Sequence, residues 1–347
     1  MPHPLVEQYE KALYELPEAW RARRPLEDEV AKALTGGRHA AIRGFWRIGK
    51  TELMKGALKA ACARTGGAAF FIDLRDAEAA TPDGIRALLK SSVEKFVKRV
   101  GAESVTVDAL KPWAALGELE AAIFVGIDEL IALKALGPEA VTSLFQTMFS
   151  APKNVHLVLV AHRHQAIDAA FNDLLLCRPD VVTFPIPVLT DDEAITLVNA
   201  PCDQQPARFS AEAAEGLAQV AGHRPWEIFT LCLLAARTLP DDFKGEVGVD
   251  QIEPLFNLDV LTAQEEGAAV VENYLRVLAT AMSPGERTVI DLLAVGGEGE
   301  ATADAVALLE EAGWITSGEG YALRGTLFEA IANGVASGEI RVKVEPG

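Results

Sequence analysis

Basic residues are in short supply: the 347-residue chain carries 32 Lys and Arg against 50 Asp and Glu, a net charge of −18. A surface of that sign opposes general attraction to phosphate backbones, so a nucleic-acid role would have to rest on a local basic patch. Cysteine is scarce as well. Cys62, Cys177, Cys202 and Cys232 lie far apart with no C-x-x-C pair, which excludes a disulfide framework and a zinc site built on paired thiols and leaves them as small hydrophobes. Long apolar runs are missing. Residues 155–161 form one of the longest and stop far short of the ~20 residues of a membrane span, and the N-terminal Met1-Pro2-His3-Pro4 lacks the basic-then-apolar pattern of an export signal. The expectation is a protein without membrane attachment, working in the cytoplasm.

What is present is the balance of a globular protein, with 50% hydrophobic and 24% charged residues, in a chain long enough for two or three domains. Its organising stretch is the pattern G-x-x-x-x-G-K-T, with Gly44 first and Thr51 last. Ala40, Ala41 and Ile42 lead in as a buried strand, and Glu52, Leu53 and Met54 lead out as a helix. Gly44 and Gly49 let the backbone turn so that the N–H groups of Trp46, Arg47, Ile48, Gly49, Lys50, Thr51 and Glu52 gather around an anion at the helix start. Lys50 then reaches the β- and γ-phosphates of a nucleotide, and the Thr51 hydroxyl becomes a magnesium ligand.

Two helical stretches precede this motif, from 5 to 34, interrupted at Pro17 and closed by Gly36-Gly37. Beyond the helix at 50–64, residues 68–74 read as a strand buried on both faces, followed by a charged helix at 82–100 and a loop-like stretch at 103–118. Residues 121–130 form another buried strand that ends in Asp128-Glu129. That pair fits one carboxylate turned to magnesium, Asp128, and a neighbour turned to the attacking water, Glu129. A helix near 138–150 leads to the strand 155–161 and to His162-Arg163-His164. Arg163 is the candidate for sensing the γ-phosphate; the two histidines, with no Cys or third His beside them, read as surface or supporting groups rather than metal ligands. A fifth strand covers 181–186. Five strands alternating with helices describe a doubly wound parallel sheet, with phosphate chemistry at the carboxyl ends of its strands.

After residue 189 the strands are expected to stop. Helices follow near 190–199, 210–221, 225–238, 249–258 and 264–281, with Thr190 and Ser210 as N-caps. A further boundary at Met282-Ser283-Pro284-Gly285 introduces two helices (285–295, 302–312), a hairpin at Trp314-Ile315 and Tyr321-Ala322-Leu323, a helical turn at 327–331 and an edge strand at 340–344. The domain expectation is an N-terminal helical extension (1–24), an α/β domain (25–188), an all-α lid (189–281) and a winged helix (282–347).

Taken together, Gly44-Phe-Trp-Arg-Ile-Gly-Lys-Thr-Glu-Leu, Phe124-Val-Gly-Ile-Asp-Glu-Leu, Leu157-Val-Leu-Val-Ala-His-Arg and Gly222-His-Arg-Pro-Trp-Glu-Ile-Phe resemble the signal-transduction ATPases with numerous domains, relatives of the AAA+ proteins, and within them the archaeal-type ATPases and their bacterial relatives. The resemblance covers about residues 24–340. It implies a P-loop ATPase core with a helical lid and winged helix, ATP or ADP with magnesium as cofactors, and Lys50, Glu129 and Arg163 as the catalytic set. It also implies an adenine contact from Pro225, although the stretch from Gly222 to Pro225 is one residue longer than the family's Gly-x-Pro, and Phe45 and Trp46 are unusually bulky for its phosphate loop. Arg178 is an alternative to Arg163 near the γ-phosphate.

Two uses of such a site compete with a third. An ATP-dependent switch would read out through a protein partner or a nucleotide-dependent homo-oligomer, and the helix 302–312, with no Lys or Arg, suits protein recognition better than DNA. A DNA-linked ATPase resembling origin-recognition or transposition-regulator proteins would draw on Arg21, Arg23, Arg24, Arg38, Arg43 and Arg47. A small-molecule kinase fits least, given Glu129 beside Asp128 and the long helical tail.

Overall fold

The computed structural model describes residues 3–14, 23–78, 80–102, 104–163, 171–172, 178–203, 205–295, 302–317, 321–337 and 340. In chain order the described helices and strands begin α1 (Pro4–Tyr14), α2 (Arg24–Thr35), β1 (His39–Gly44), α3 (Lys50–Thr65), β2 (Ala68–Asp73), α4 (Pro82–Arg99), α5 (Ala114–Gly117), β3 (Ile123–Asp128), α6 (Pro138–Met148), β4 (Val155–His162) and β5 (Val181–Pro185). They continue with α7 (Asp191–Asn199), β6 (Ala207–Phe209), α8 (Ala211–Val220), α9 (Pro225–Arg237), β7 (Gly245–Val247), α10 (Val249–Ile252), α11 (Leu258–Thr262) and α12 (Glu265–Thr280). The last are α13 (Pro284–Ala294), α14 (Ala303–Glu311), β8 (Ile315–Ser317), β9 (Tyr321–Leu323) and α15 (Thr326–Ser337). Contacts divide them into two compact units, one of Arg23–Gly44 and Lys50–Ile186, the other of Met1–Ala22, Phe45–Gly49 and Pro187–Gly347.

The first unit is built on a five-stranded sheet in the order β2-β3-β4-β1-β5, with every neighbouring pair parallel. Its central strands need no polar alternation, because helices cover both faces; all six residues of β3 and all eight of β4 are buried. At Gly126 a Cβ would lie 2.5 Å from Met54 Sδ. Helix α3 therefore rests directly on the β3 backbone, two residues before Asp128, and any side chain at 126 would lift the helix that carries Lys50 and Thr51. Helix α4 is started by the Thr81 hydroxyl, which accepts from the Gly84 N–H, and buries Ile85, Leu89, Val93 and Phe96 at helical spacing. The stretch expected to be loop-like at 103–118 contains the short helix α5, anchored by the buried Trp113.

The second unit is centred on α9, buried on nearly all sides from Glu227 to Ala236. Helix α1 packs on it, and the Tyr9 hydroxyl donates to Val198 O at 2.5 Å. Thr190 and Ser210 cap α7 and α8 as expected, Thr190 in a full capping box with Glu193. Three departures from the sequence expectation appear here. Strands do not stop at 189, since β6 and β7 pair in parallel. The helix expected over 249–258 is instead α10, a 3-10 turn over Glu253–Phe256 and the start of α11, because Pro254 cannot continue the hydrogen-bond ladder. The turn expected at 327–331 is the twelve-residue helix α15. The edge strand expected at 340–344 lies, apart from Ile340, outside the described residues. Trp314, Tyr274 and Phe328 form an aromatic core with centroids 4.5 to 5.9 Å apart. Among the described residues no helix is long and apolar enough to cross a membrane.

Candidate active site

Strand β1 ends at Gly44, and the loop 45–49 delivers the chain to α3 at Lys50. Two of its residues take left-handed backbone, Arg47 (φ 58°) and Gly49 (φ 93°). For arginine that conformation costs about 1 kcal/mol, a cost consistent with a loop whose amides are held for a ligand. By their contacts Phe45–Gly49 group with the second unit. There Phe45, 3% exposed, meets Trp314 edge-on at 5.1 Å, and the Arg47 guanidinium lies 3.5 Å from the Trp226 ring centre. Ile48 is buried, and Trp46 faces Arg276 at 5.8 Å.

Within the sheet unit, the parallel register brings the carboxyl ends of β2, β3 and β4 together beside the start of α3. Lys50 is buried, and its Nζ lies 3.0 Å from His162 Nδ1; His162 Nε2 lies 3.2 Å from Glu129 Oε2. These partners assign a neutral imidazole that accepts from the ammonium and donates to the carboxylate. Burial drives the Lys50 pKa down to about 7 against the pull of Asp128 and Glu129, and it drives His162 to about 4, with Lys50 adding to the effect. Burial works to raise the Glu129 pKa, but the His162 hydrogen bond and the neighbouring cations hold it below the usual glutamate value.

The Thr51 hydroxyl donates to Asp128 Oδ2 at 2.6 Å, and Asp128 Oδ1 accepts the Glu129 N–H at 2.7 Å. Burial raises the Asp128 pKa above its ordinary value. Glu129 itself sits in left-handed backbone (φ 57°). Arg75 lies 3.7 Å from Glu129 Oε1 while its own guanidinium grips Asp73, with Nη2 donating to Oδ2 at 2.5 Å.

This arrangement suits a polyanion with a hard cation. Thr51 and Asp128 offer two adjacent oxygen donors, the small protein share that magnesium takes when phosphates and waters complete its octahedron. Among the described residues no group of three or more His, Cys, Asp and Glu is arranged to hold a metal ion by itself. The other expected site residues fall as follows. Glu52 accepts from Lys55 Nζ at 2.8 Å. Arg163 follows β4 directly and donates its backbone N–H to Gly44 O. Arg178 is held by Asp180, with Nη2 donating to Oδ2 at 2.6 Å. Pro225, in the other unit, opens α9 as its first residue. His164 lies outside the described residues.

His162 is the residue that sequence reasoning set aside, and it bridges Lys50 and Glu129. Its one sequence signal was position, as the last residue of a strand buried throughout.

No protein-family model and no curated protein matches the chain. Among solved structures it is similar to a Walker-type ATPase of Pyrococcus abyssi, at 14% identity and a TM-score of 0.54, over 89% of this chain and 95% of that one. It also matches the Orc1 protein of Aeropyrum pernix, solved in complex with DNA, at 13% identity and a TM-score of 0.49, over 94% of this chain and 96% of that one. The RuvB Holliday junction branch migration motor of Thermotoga maritima matches at 14% identity and a TM-score of 0.48, over 89% of this chain and 94% of that one. At these identities the likeness to the Walker-type ATPase shows the fold alone, and the fold is that of an α/β P-loop NTPase.

Proposed function

We propose that the chain binds ATP with magnesium and hydrolyses it slowly, as a switch whose nucleotide state governs binding of a protein partner or self-assembly. One observation carries the reading: at the end of the G-x-x-x-x-G-K-T motif, its Lys50 forms a hydrogen-bonded chain with His162 and Glu129, beside the Thr51–Asp128 pair. In this reading the loop amides from Trp46 to Glu52 hold the phosphates. Lys50 places its charge on the β- and γ-phosphates. Thr51 and Asp128 would hold magnesium, which when bound supplies positive charge to the phosphate oxygens. Glu129, kept ionised by its neighbours, accepts a proton from the attacking water. His162 holds Glu129 and Lys50 in register, and Arg163, one residue on, is proposed to sense the γ-phosphate.

The finer assignment, to the signal-transduction ATPases with a helical lid, Pro225 at the adenine and a winged helix from α13, α14, β8, β9 and α15, rests on the sequence resemblance and the element order. Helix α14, in the place where a winged helix reads DNA, carries Asp304, Glu310 and Glu311 and no basic residue, which favours a protein partner. For full control of a two-state switch the nucleotide must favour one state by about 5 kcal/mol.

The test is calorimetric titration of the whole chain with ATP and magnesium. Wild type is expected to bind, and Lys50→Ala to lose at least about 100-fold in affinity, the scale of a lost charge-assisted phosphate contact. Equal affinity in the two proteins would remove the phosphate loop from the reading.

A further inference from the structure

The two edges of the five-stranded sheet are treated differently. On β5, the Ile186 N–H is donated to Arg43 O, so Val181, Thr183 and Pro185 turn their backbone groups outward. Val181 N–H is already bonded to Arg178 O and Pro185 has none to give, which blunts that edge. On β2, the Ala68 N–H is donated to Ala122 O, so the alternate residues Ala69, Phe71 and Asp73 face outward. One side chain guards this edge: Arg99 Nη2 donates to Ala69 O at 3.0 Å. At its middle stands Phe71, 53% exposed. Beside it runs a groove of about 790 Å³, floored by Phe70, Ile72, Leu88 and Phe96 and walled by α4.

Charge along this groove is polarised. Lys95 and Arg99, in the last turns of α4, line the end where β2 begins, and Asp76 and Glu78 line the end where it stops. All four are exposed. Such an edge is complementary to itself once it is turned around. We propose that β2 pairs antiparallel with β2 of a second copy of this chain, on a two-fold axis through Phe71, joining two five-stranded sheets into one.

The register follows from the outward set. With Phe71 opposite Phe71, each donates its N–H to the other's carbonyl, and Ala69 falls opposite Asp73. The phenyl rings become a cross-strand aromatic pair on the face away from α4, where Phe71 already lies 5.8 Å from Lys55 Nζ. The same rotation lays Lys95 and Arg99 of each copy against Asp76 and Glu78 of the other. Arg99 exchanges its bond to Ala69 O for a carboxylate, which frees that carbonyl for the ladder. The dimer needs no nucleotide, so it stands or falls apart from the reading above.

Sedimentation velocity on the whole chain without nucleotide, over a micromolar concentration series, tests it. A reversible dimer is expected. Phe71→Lys puts like charges opposite one another and should raise the dissociation constant about tenfold or more. Lys95→Glu with Arg99→Glu should weaken the dimer similarly, and adding Asp76→Lys and Glu78→Lys should restore it. All five positions are exposed, so the variants keep the fold. A wild type that stays monomeric, a dimer indifferent to Phe71→Lys, or a four-fold charge exchange that restores nothing overturns the proposal. An extended peptide from another protein seated on the edge would show itself as the first of these.

Discussion

Buried charge in the sheet unit runs through shared partners: Lys50 to His162 to Glu129, and Thr51 to Asp128 to the Glu129 N–H. In the helical unit two of the buried charges, Arg224 and Glu227, are handled by packing. The Arg224 guanidinium lies 3.5 Å from the Trp314 ring centre and donates to Gly313 O at 3.3 Å. Glu227 accepts from Asn273 on one oxygen, and its other oxygen has no hydrogen-bond partner among the described residues. Burial accordingly raises the Glu227 pKa to about 7, while Glu129 stays below the ordinary value. The difference separates carboxylates by use. One is held towards its ionised form at the end of a strand; the other is pushed towards its protonated form inside a helical core.

The largest effect should come from exchanging each of these carboxylates for its amide. With Glu129 as the proposed proton acceptor, Glu129→Gln should lower ATP turnover by about 10²–10⁴-fold, with ATP affinity nearly unchanged. Glu227→Gln should leave turnover at the wild-type level. Phosphate release and calorimetry on both variants decide the matter. Normal turnover in Glu129→Gln would move the base elsewhere, and a collapse in a folded Glu227→Gln would erase the distinction.

The sheet side of this comparison was largely legible in the sequence, for a physical reason. Parallel strands covered on both faces are continuous apolar runs, and the phosphate loop has fixed spacing, so β1, β3 and β4, Lys50, Thr51, Asp128 and Glu129 could all be located by reading along the chain. His162 could not. Its role is set by two partners that are 112 and 33 residues away in sequence, and only the register of β1, β3 and β4 brings them together. The helical side was less legible for a related reason: β6 and β7 are three residues each and pair across α8 and α9, too short to imprint a period of two. The partners of Arg224 and Glu227, likewise, are Trp314 and Asn273, far along the chain.

A middle-sized effect is expected from cutting the chain at its centre. His162→Ala leaves Lys50 and Glu129 without their bridge and should lower turnover by about 10–100-fold, the worth of one charge-assisted hydrogen bond in the transition state. His162→Asn keeps a carbonyl to accept from Lys50 and an amide to donate to Glu129, and should recover much of the loss. An alanine variant as active as wild type, or an asparagine variant no better than alanine, would reduce His162 to a packing residue.

The smallest effect has opposite signs in the two units. In the sheet unit burial lowers the His39 pKa to about 4, although Asp180 lies 3.6 Å away. The unfolded chain takes up that proton first, so stability is complete above about pH 6.5 and is lost as the pH falls towards 4. In the helical unit Glu227, raised to about 7 by burial against the pull of Arg224 and Arg47, holds its proton in the folded state. Its contribution is complete below about pH 4.5 and is lost as the pH rises towards 7. The full shifts correspond to about 3 kcal/mol each, and relaxation around the charged forms should reduce what is observed to about 1–2 kcal/mol. Hydrogen exchange of peptides from β1 and β4 and from α9 and α12, corrected for intrinsic rates, should show protection rising with pH in the first pair up to about pH 6.5 and falling in the second between about pH 4.5 and 7. Glu227→Gln should flatten the second trend and leave the first alone; parallel trends in both pairs, or a slope in α9 that survives the substitution, would mean that Glu227 does not set the pH response of its unit.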